Sequence, residues 1–263
     1  MPHIKPLFRY VTLDGWMNFL FQNSKFTVIC ITFLLTSVTA QADSSYSMGI
    51  LGIHSSSIYK GVDSDSNVFP SISYDSDTFF FKELSFGYHV TEHFDVAIGH
   101  IDSHFDPDDS DNSDIKMLDE REGGFVAKAA VKFGIFSAEI KQDISGEHTG
   151  FSANAKIGVP LLFTDTFFLA GSIGYTYLSK KMSEHLYDVS AAESARVSGN
   201  ISTHDSTSTS TRDFGLRLIM PLSKQATIIT ILSHKEYDDE AISSPLVEDD
   251  SSNSIIFIAS YKF

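Results

Sequence analysis

The sequence has almost no cysteine, few prolines and no apolar run long enough to cross a bilayer as a helix. One Cys, Cys30, and seven Pro occur among 263 residues. A single Cys cannot form an intramolecular disulfide, so backbone pairing and burial must hold the fold together. Basic residues are also scarce, since 19 Lys and Arg stand against 34 Asp and Glu, for a formal net charge of −15. Because a phosphate-binding surface needs clustered cations, this balance argues against a nucleic-acid partner.

The N-terminal part contains one apolar segment, Phe26–Thr39, which follows Lys25 and precedes Ala40-Gln41-Ala42. The segment is shorter than the about 20 residues that a membrane-spanning helix needs. A basic residue, a short apolar core and a small-x-small site predict a secretory signal peptide that is cleaved after Ala42. Ala40 and Ala42 are therefore the predicted cleavage-site residues, and export would follow the Sec pathway.

Cleavage changes the composition of the protein. We expect residues 1–42 to be the signal peptide, with Met17 as an alternative start, and residues 43–263 to be the exported domain. The exported chain keeps 16 basic and 33 acidic residues, for a formal charge of −17, and loses Cys30. It then has neither a disulfide nor a thiol nucleophile.

Apolar residues in the exported part recur with a period of two. Every second residue from Phe151 to Phe163 is apolar, whereas Asn154 and Lys156 stand between them; the ranges 125–133 and 214–220 repeat the pattern. A period of two predicts β-strands with one apolar and one polar face. A soluble sandwich would alternate as well, but aromatic residues gather at the ends of the apolar faces, as in the girdles of a membrane barrel.

We therefore predict an all-β fold, a transmembrane antiparallel up-and-down β-barrel of about twelve strands, with ten as the alternative. The predicted strands are 46–57, 67–76, 77–82, 84–91, 95–105, 122–133, 135–145, 149–163, 166–179, 211–222, 226–237 and 252–263. Tight junctions are expected to alternate strictly with long acidic loops, which are 58–66, 106–121, 180–210 and 238–251. In outer-membrane barrels, short turns face the periplasm and long loops face outward.

The last strand places an alternating set of apolar residues at the C-terminus. Phe263 is the terminal residue, and Tyr261, Ala259, Phe257 and Ile255 precede it at intervals of two. A terminal Phe with an aromatic residue two positions earlier looks like the C-terminal signature of bacterial outer-membrane proteins, which the insertion machinery reads. We expect Tyr261 and Phe263 to form this signature, and together with the leader it predicts an outer-membrane location.

The polar faces of the predicted strands carry charges of both signs. A charge that faces lipid at mid-bilayer would cost roughly 2–4 kcal/mol, so these side chains are expected to point into the lumen. They are Lys128, Lys132, Glu139, Lys141, Asp143, Lys156, Asp213 and Arg217. The mixture is compatible with paired networks that fill the barrel and with a conducting pore.

Two patterns resemble the nucleophile sites of hydrolases. Ser57 and Lys60 match the S-x-x-K pattern of serine acyl enzymes, but the Lys-Thr-Gly partner strand is missing, and at a strand end the two side chains would not converge. Ser103–His104 and Ser233–His234 are adjacent pairs, and neighbours on one strand face opposite ways. A Ser–His contact across strands is left open, and we expect no catalytic residue.

Two further patterns resemble metal sites. His100 and His104 have a zinc spacing only on a helix, and on a strand they would lie about 13 Å apart. The segment 106–114 is rich in Asp, but Asp111 and Met117 stand where a calcium loop needs Gly and Glu. We interpret 106–114 as a solvated acidic loop, and we expect no metal ligand and no cofactor.

Four segments resemble the MltA-interacting protein family (MipA/OmpV). Ile58–Asp65, followed by Phe69-Pro70, is similar to the family's Tyr-Lys-Gly stretch. Tyr187–Ala195 and Ser244–Asp249 resemble two further family motifs, and Met117–Arg121 is similar to a family turn. The resemblance extends over residues 46–263. The sequence departs from the pattern at Asp188, where Gly is usual, and in the Ser/Thr-rich stretch 203–211.

The resemblance implies a non-enzymatic outer-membrane barrel. In that location we expect contact with outer-membrane lipid and with lipopolysaccharide, the latter through weak divalent bridging by the acidic loop 106–114. The family's namesake is similar to a scaffold that links a lytic transglycosylase to a peptidoglycan synthase, so these murein enzymes are the implied partners. Three alternatives remain at this point: a passive pore, a surface-interaction barrel of the adhesin or stress-related kind, and a lipid-directed hydrolase.

Overall fold

The computed structural model describes residues 44–101 and 105–263. The signal peptide with its predicted cleavage residues Ala40 and Ala42, and the residues Ser103 and His104, lie outside the described residues.

Twelve strands form one closed antiparallel barrel, in which each strand pairs with its neighbours in sequence and the first pairs with the last. This confirms the predicted fold and the count of twelve rather than ten. The strands are β1 (Ser45–Ser55), β2 (Asp65–Asp75), β3 (Phe79–Lys82), β4 (Ser85–Thr91), β5 (Phe94–Ile101), β6 (Gly124–Phe133), β7 (Phe136–Asp143), β8 (Phe151–Phe163), β9 (Phe168–Leu178), β10 (Thr209–Pro221), β11 (Ala226–Tyr237) and β12 (Ser251–Lys262).

The outer wall of the barrel is apolar. Cross-strand partners on this wall are residues such as Ile173 and Phe214, and Phe86 and Ile98. Ile173 is 61% exposed and Ile98 is 55% exposed, which would be unfavourable in water and suits lipid. Closure pairs most of the backbone within the barrel. The exception is β2, which pairs with the four-residue β3 only at Tyr74 and Asp75, so residues 65–73 have a strand partner on the β1 side alone.

The C-terminal residues complete this wall. Tyr261 pairs with Met48 on the outer wall, its ring lies 5.2 Å from that of Phe263, and the Phe263 N–H donates to Tyr46 O over 2.9 Å. Their predicted role as an insertion signature stays a prediction.

Two rims of different character close the ends of the barrel. The short-turn rim holds both ends of the described domain and the connections 76–78, 92–93, 134–135, 164–167 and 222–225. The long-loop rim holds the connections 56–64, 102–123, 144–150, 179–208 and 238–250.

The predicted strict alternation is wrong at one place, because the β3–β4 connection on the long-loop rim has only two residues. Glu83 and Leu84 have φ values of 51° and 53°, the pattern of a tight type I′ hairpin turn. Strand β3 is only four residues long, so this hairpin ends low on the wall and needs no long loop.

The helices of the described part of the chain all lie on the long-loop rim. They are α1 (Lys180–Tyr187), α2 (Ala191–Arg196) and α3 (Asp239–Ile242), with two 3₁₀ turns at Pro107–Asp109 and Ile115–Met117. Over the described ranges, none of them is both long and apolar enough to cross a membrane.

Most fully buried apolar side chains lie in the long connections and not in the barrel wall. They are Ile58, Phe105, Ile115, Leu118, Met182, Leu186, Tyr187, Val189, Val197, Ile201, Ala241, Leu246 and Val247. We call the described residues of 56–64, 105–123, 179–208 and 238–250 the cap. The interpretation of 106–114 as a solvated loop is therefore wrong in part. Four of its five carboxylates are exposed and that of Asp114 is half-buried, but Pro107 and Ser110 are buried, and Ile115, just after the segment, packs into the cap core.

Candidate functional site: the cap and the lumen

All four connections of the cap contribute to its apolar core. One cluster is Ile58, Leu178, Met182, Leu186, Tyr187, Ala241 and Val247; the other is Phe105, Ile115, Leu118, Val189, Val197, Ile201 and Leu246. Tyr59 packs against both clusters. Since these connections leave the barrel from different sides, they meet only by extending across its mouth. Each fully buried aliphatic side chain contributes roughly 1.5–3 kcal/mol, so the cap has a core of its own.

Tyr59 and Lys60 attach the first connection to the last and to the segment after β5. The backbone of Tyr59 forms an antiparallel bridge with Val247, and the Lys60 N–H donates to Leu246 O over 2.8 Å. The Tyr59 ring lies 4.7 Å from that of Phe105. Burial raises the pKa of Tyr59, so its hydroxyl stays protonated and can donate toward Leu186 O.

Gly61 is required by the geometry of this contact. Its φ is +65°, and a Cβ there would lie 2.9 Å from Ser110 Oγ. The Gly61 N–H donates to Glu248 Oε2 over 3.2 Å, and its carbonyl accepts from the Asp111 N–H over 2.6 Å. One glycine therefore joins three connections, which no residue with a side chain could do without strain.

A buried ion pair joins the segment after β5 to helix α2. Arg121 Nη2 lies 3.0 Å from Glu193 Oε1, and both side chains are at most 10% exposed. The guanidinium also donates to Asp188 O and Asp119 O, over 2.7 and 2.9 Å. Glu193 closes a capping box with Ser190 at the start of α2. Burial alone would raise the pKa of Glu193, but the Ser190 N–H and the Arg121 charge outweigh it, so the pKa is lowered and the carboxylate is charged.

The two places where the sequence departs from the family resemblance contact each other. Asp188 ends α1 with φ −72°, so this position does not need the glycine that is usual there. Its carboxylate accepts from the Ser206 N–H over 2.6 Å, which anchors the Ser/Thr-rich stretch. Thr209 then donates its N–H to Ser183 Oγ over 3.0 Å. The stretch is thus held by side-chain acceptors, and Ser206 and Thr209 are almost fully buried.

A cluster of three carboxylates lies beside this contact, and the sequence analysis did not single it out. One oxygen each of Glu184, Asp188 and Asp205 lies within 4.8 Å of the others. The Lys180 ammonium lies 3.3 Å from both Glu184 and Asp205. The Lys180 ammonium therefore offsets part of the repulsion between the three carboxylates.

Two histidines join the 144–150 connection to the cap. Their rings, those of His148 and His185, have centroids 4.9 Å apart. The Gly150 N–H donates to His148 Nδ1, so this nitrogen is an acceptor and carries no proton, while His185 Nε2 donates to Glu122 O, both over 3.0 Å. Burial lowers the pKa of both rings, which are neutral at pH 7.

The lumen holds all eight predicted charges on its inner wall, as the strand register shows. Some are paired: Lys141 lies 2.9 Å from Glu139, Lys128 donates to Ser85 Oγ, and Asp213 accepts from Thr176 Oγ1. In the part of the chain that the structure describes, the side chains of Lys132, Lys156 and Arg217 have no ion pair or hydrogen bond. All three are exposed although they point into the barrel, so water reaches them.

The hydrolase and metal patterns take other roles. Ser57 Oγ accepts from the Tyr59 N–H in a local turn. His100 stacks edge-on with Phe125 on the outer wall, and Ser233 and His234 face opposite sides of β11. A Ser–His contact across strands does occur: His54 Nδ1 lies 2.8 Å from Ser66 Oγ on the outer wall. Among the described residues, no acidic group orients this imidazole, so the pair lacks the third member of a catalytic triad.

Closure, an apolar outer wall and a lumen with charged residues define this chain as a β-barrel of the outer membrane. The chain belongs to the MltA-interacting protein MipA family, and its match to the sequence pattern of that family covers residues 48–263. The outer membrane protein YiaT of Escherichia coli (strain K12) is 20% identical over 243 residues, which cover 89% of this chain and 98% of YiaT. The four segments that carry the family resemblance all lie in or against the cap, where Ser244 Oγ donates to Tyr187 O over 2.6 Å.

Two solved barrels show similarity at lower sequence identity. An outer membrane channel from Pseudomonas putida F1 is 8% identical, with a TM-score of 0.37, and the match covers 86% of this chain and 97% of the channel. The attachment invasion locus protein Ail of Yersinia pestis is 12% identical, with a TM-score of 0.26, over 84% of this chain and 99% of Ail.

The buried ion pair yields a first prediction. Glu193→Gln leaves the Arg121 charge buried without its counter-ion, which costs about 3 kcal/mol, and amide exchange in 180–200 should accelerate by about a hundredfold. Hydrogen exchange measured by mass spectrometry on the purified protein tests this. The matched control is Glu120→Gln, an exposed neighbour, which should leave exchange unchanged. Equal exchange in the two variants would show that the ion pair does not hold the cap.

The histidine pair yields a second prediction. The folded pKa values lie below the usual 6.5, so the folded protein binds fewer protons than the unfolded chain, and the stability present above pH 6.5 is lost as the pH falls. Arg121 and the ring–ring contact favour the neutral rings, whereas Asp143 and Glu147 oppose them. The protection of the amides in 144–150 and in α1, expressed relative to the intrinsic exchange rate at each pH, should therefore fall as the pH drops below about 6.5, before that of the barrel strands.

His148→Asn provides the control, because an amide oxygen accepts the Gly150 N–H without titrating. The variant should lose most of this pH dependence, whereas His93→Asn on the short-turn rim should keep it. Retention of the full pH response in His148→Asn would exclude the histidine pair as its source.

Proposed function

We propose that this protein is a closed, non-enzymatic barrel that serves as a structural and scaffolding protein of the cell envelope. The observation that carries the proposal is the cap: four connections fold over one mouth of the barrel around a common core and a buried ion pair. An open channel would need this core to be disrupted.

The family's description supports a murein enzyme as the partner. A lytic transglycosylase of the MltA kind, together with a peptidoglycan synthase, would act in the periplasm, which the short turns of outer-membrane barrels face. The contact would therefore use the short-turn rim, around Asp77, Asp165 and Lys224. Apolar residues at this rim, such as Phe163 at 79% exposure, are positioned to contact membrane lipid. Lipopolysaccharide would meet the long-loop rim.

A second candidate is surface recognition by the cap. Its carboxylates point outward while its backbone is held from within, as at Asp106, Asp108 and Glu120. A preorganised acidic surface loses little entropy on binding and would suit a cationic partner. This role and the murein-enzyme role use opposite ends of the barrel.

Site-specific crosslinking distinguishes the two roles. A photoreactive amino acid at Asp165 or Lys224 should capture a murein enzyme in intact envelopes, whereas the same group at Asp249 on the cap should not. Capture from Asp249 alone, or of no murein enzyme from any position, would contradict the scaffolding role. Steady conductance of the purified protein in planar bilayers would contradict the closed barrel.

A further inference from the structure

The lumen has an apolar wall on one side, which is unusual because the interior of such barrels is generally polar. The wall spans β10, β11, β12, β1 and β2. Its residues form two rows of cross-strand partners. In the first row Ile231 pairs with Ile256, and Ile256 pairs with Ile53. The second row runs across five strands through Ile219, Ile229, Ile258, Leu51 and Phe69. These residues alternate with lipid-facing ones such as Ile255 and Phe257, so they point inward.

The apolar wall is not covered by the rest of the barrel. Its aliphatic members are only half-buried, and Phe69 is 40% exposed. Neighbouring strands lie about 4.8 Å apart, so the wall is about 19 Å wide. An apolar surface of this width that faces water inside a barrel is unfavourable, and an apolar molecule would relieve that cost.

A cation stands at the edge of this wall. Arg217 is the cross-strand partner of Ile231, and it is exposed to the lumen. Lys156 and Lys132 point into the same lumen from β8 and β6. Across the described residues none of the three has an anionic partner, although the chain as a whole is strongly acidic. Positive charge beside an apolar wall is complementary to an anionic head group on a hydrocarbon chain.

We propose that the lumen binds a long-chain carboxylate, with its alkyl chain on the isoleucine wall and its carboxylate on Arg217. Lys156 and Lys132 add to the positive potential of the opposite wall. The cap covers the long-loop mouth, so the ligand enters from the short-turn rim. The site depends on lumenal residues alone and is independent of the scaffolding role, which uses the outside of that rim.

The test uses the full exported chain, transferred from detergent into an amphipathic polymer, and 11-(dansylamino)undecanoate as a fluorescent probe. We expect saturable binding that laurate displaces and that dodecyltrimethylammonium, with the same chain and the opposite charge, does not. Equal displacement by both amphiphiles would overturn the proposal, because it would mean partition without recognition of the head group.

Matched variants locate the site. Arg217→Gln should weaken probe binding by about tenfold, as expected for a lost charge-assisted hydrogen bond, whereas Arg212→Gln, on the outer wall of the same strand, should not. Ile256→Thr should weaken binding several-fold, whereas its lipid-facing neighbour Ile255→Thr should not. Heat-modifiable migration in gels verifies that each variant is folded. Wild-type affinity in both lumenal variants, or equal loss in the outer-wall controls, would overturn the site.

Discussion

The buried contact between Arg121 and Glu193 is the interaction on which the cap depends. A charge removed from water needs a partner, and each of these side chains is the other's partner. Arg121 also holds two backbone carbonyls, and Glu193 also starts helix α2, so one contact orders both long connections. With these two segments fixed, Tyr59 and Gly61 can attach the first and last connections to them. A set of loops thereby becomes a folded cap.

The barrel and the cap are stabilised by different means. Apart from the isoleucine wall of the lumen, the barrel turns its apolar side chains outward to lipid and its polar ones inward, so it has little conventional core. The pairing of β1 with β12 closes the sheet. The cap has the opposite arrangement, with apolar residues inside and carboxylates outside. The two parts also divide the surface available for function. The long-loop rim is covered by the acidic cap, whereas the lumen is accessible from the short-turn rim.

The sequence was sufficient for the wall because its information is local. A period of two along each strand decides which side chains meet lipid, and strands that follow each other pair with each other. Strand β3 and the Glu83–Leu84 turn were harder, since four residues show little periodicity. The lumenal wall was visible in part, because Ile256 and Ile258 stand where a polar face was expected.

The cap was not predictable from local pattern, because its contacts join residues far apart in the chain. Gly61 meets Glu248, and Arg121 meets Glu193, and no spacing rule connects them. The Asp-rich composition of 106–114 indicated solvent exposure and concealed Pro107 and Ser110, which are buried there, and Ile115 just beyond it. Only the family resemblance marked the right segments, and the structure shows that these segments contact each other.

The most direct test of the capped barrel is disulfide formation between loops that leave the barrel at separate places. Residues 43–263 contain no cysteine, so in this part of the chain Val62→Cys with Ser110→Cys introduces the only two thiols. These residues are partners in an antiparallel bridge, at a spacing that a disulfide can span. The account predicts that the disulfide forms in nearly all molecules of the inserted protein, with heat-modifiable migration retained. Two thiols that stay free and react with maleimide in the folded barrel would contradict it.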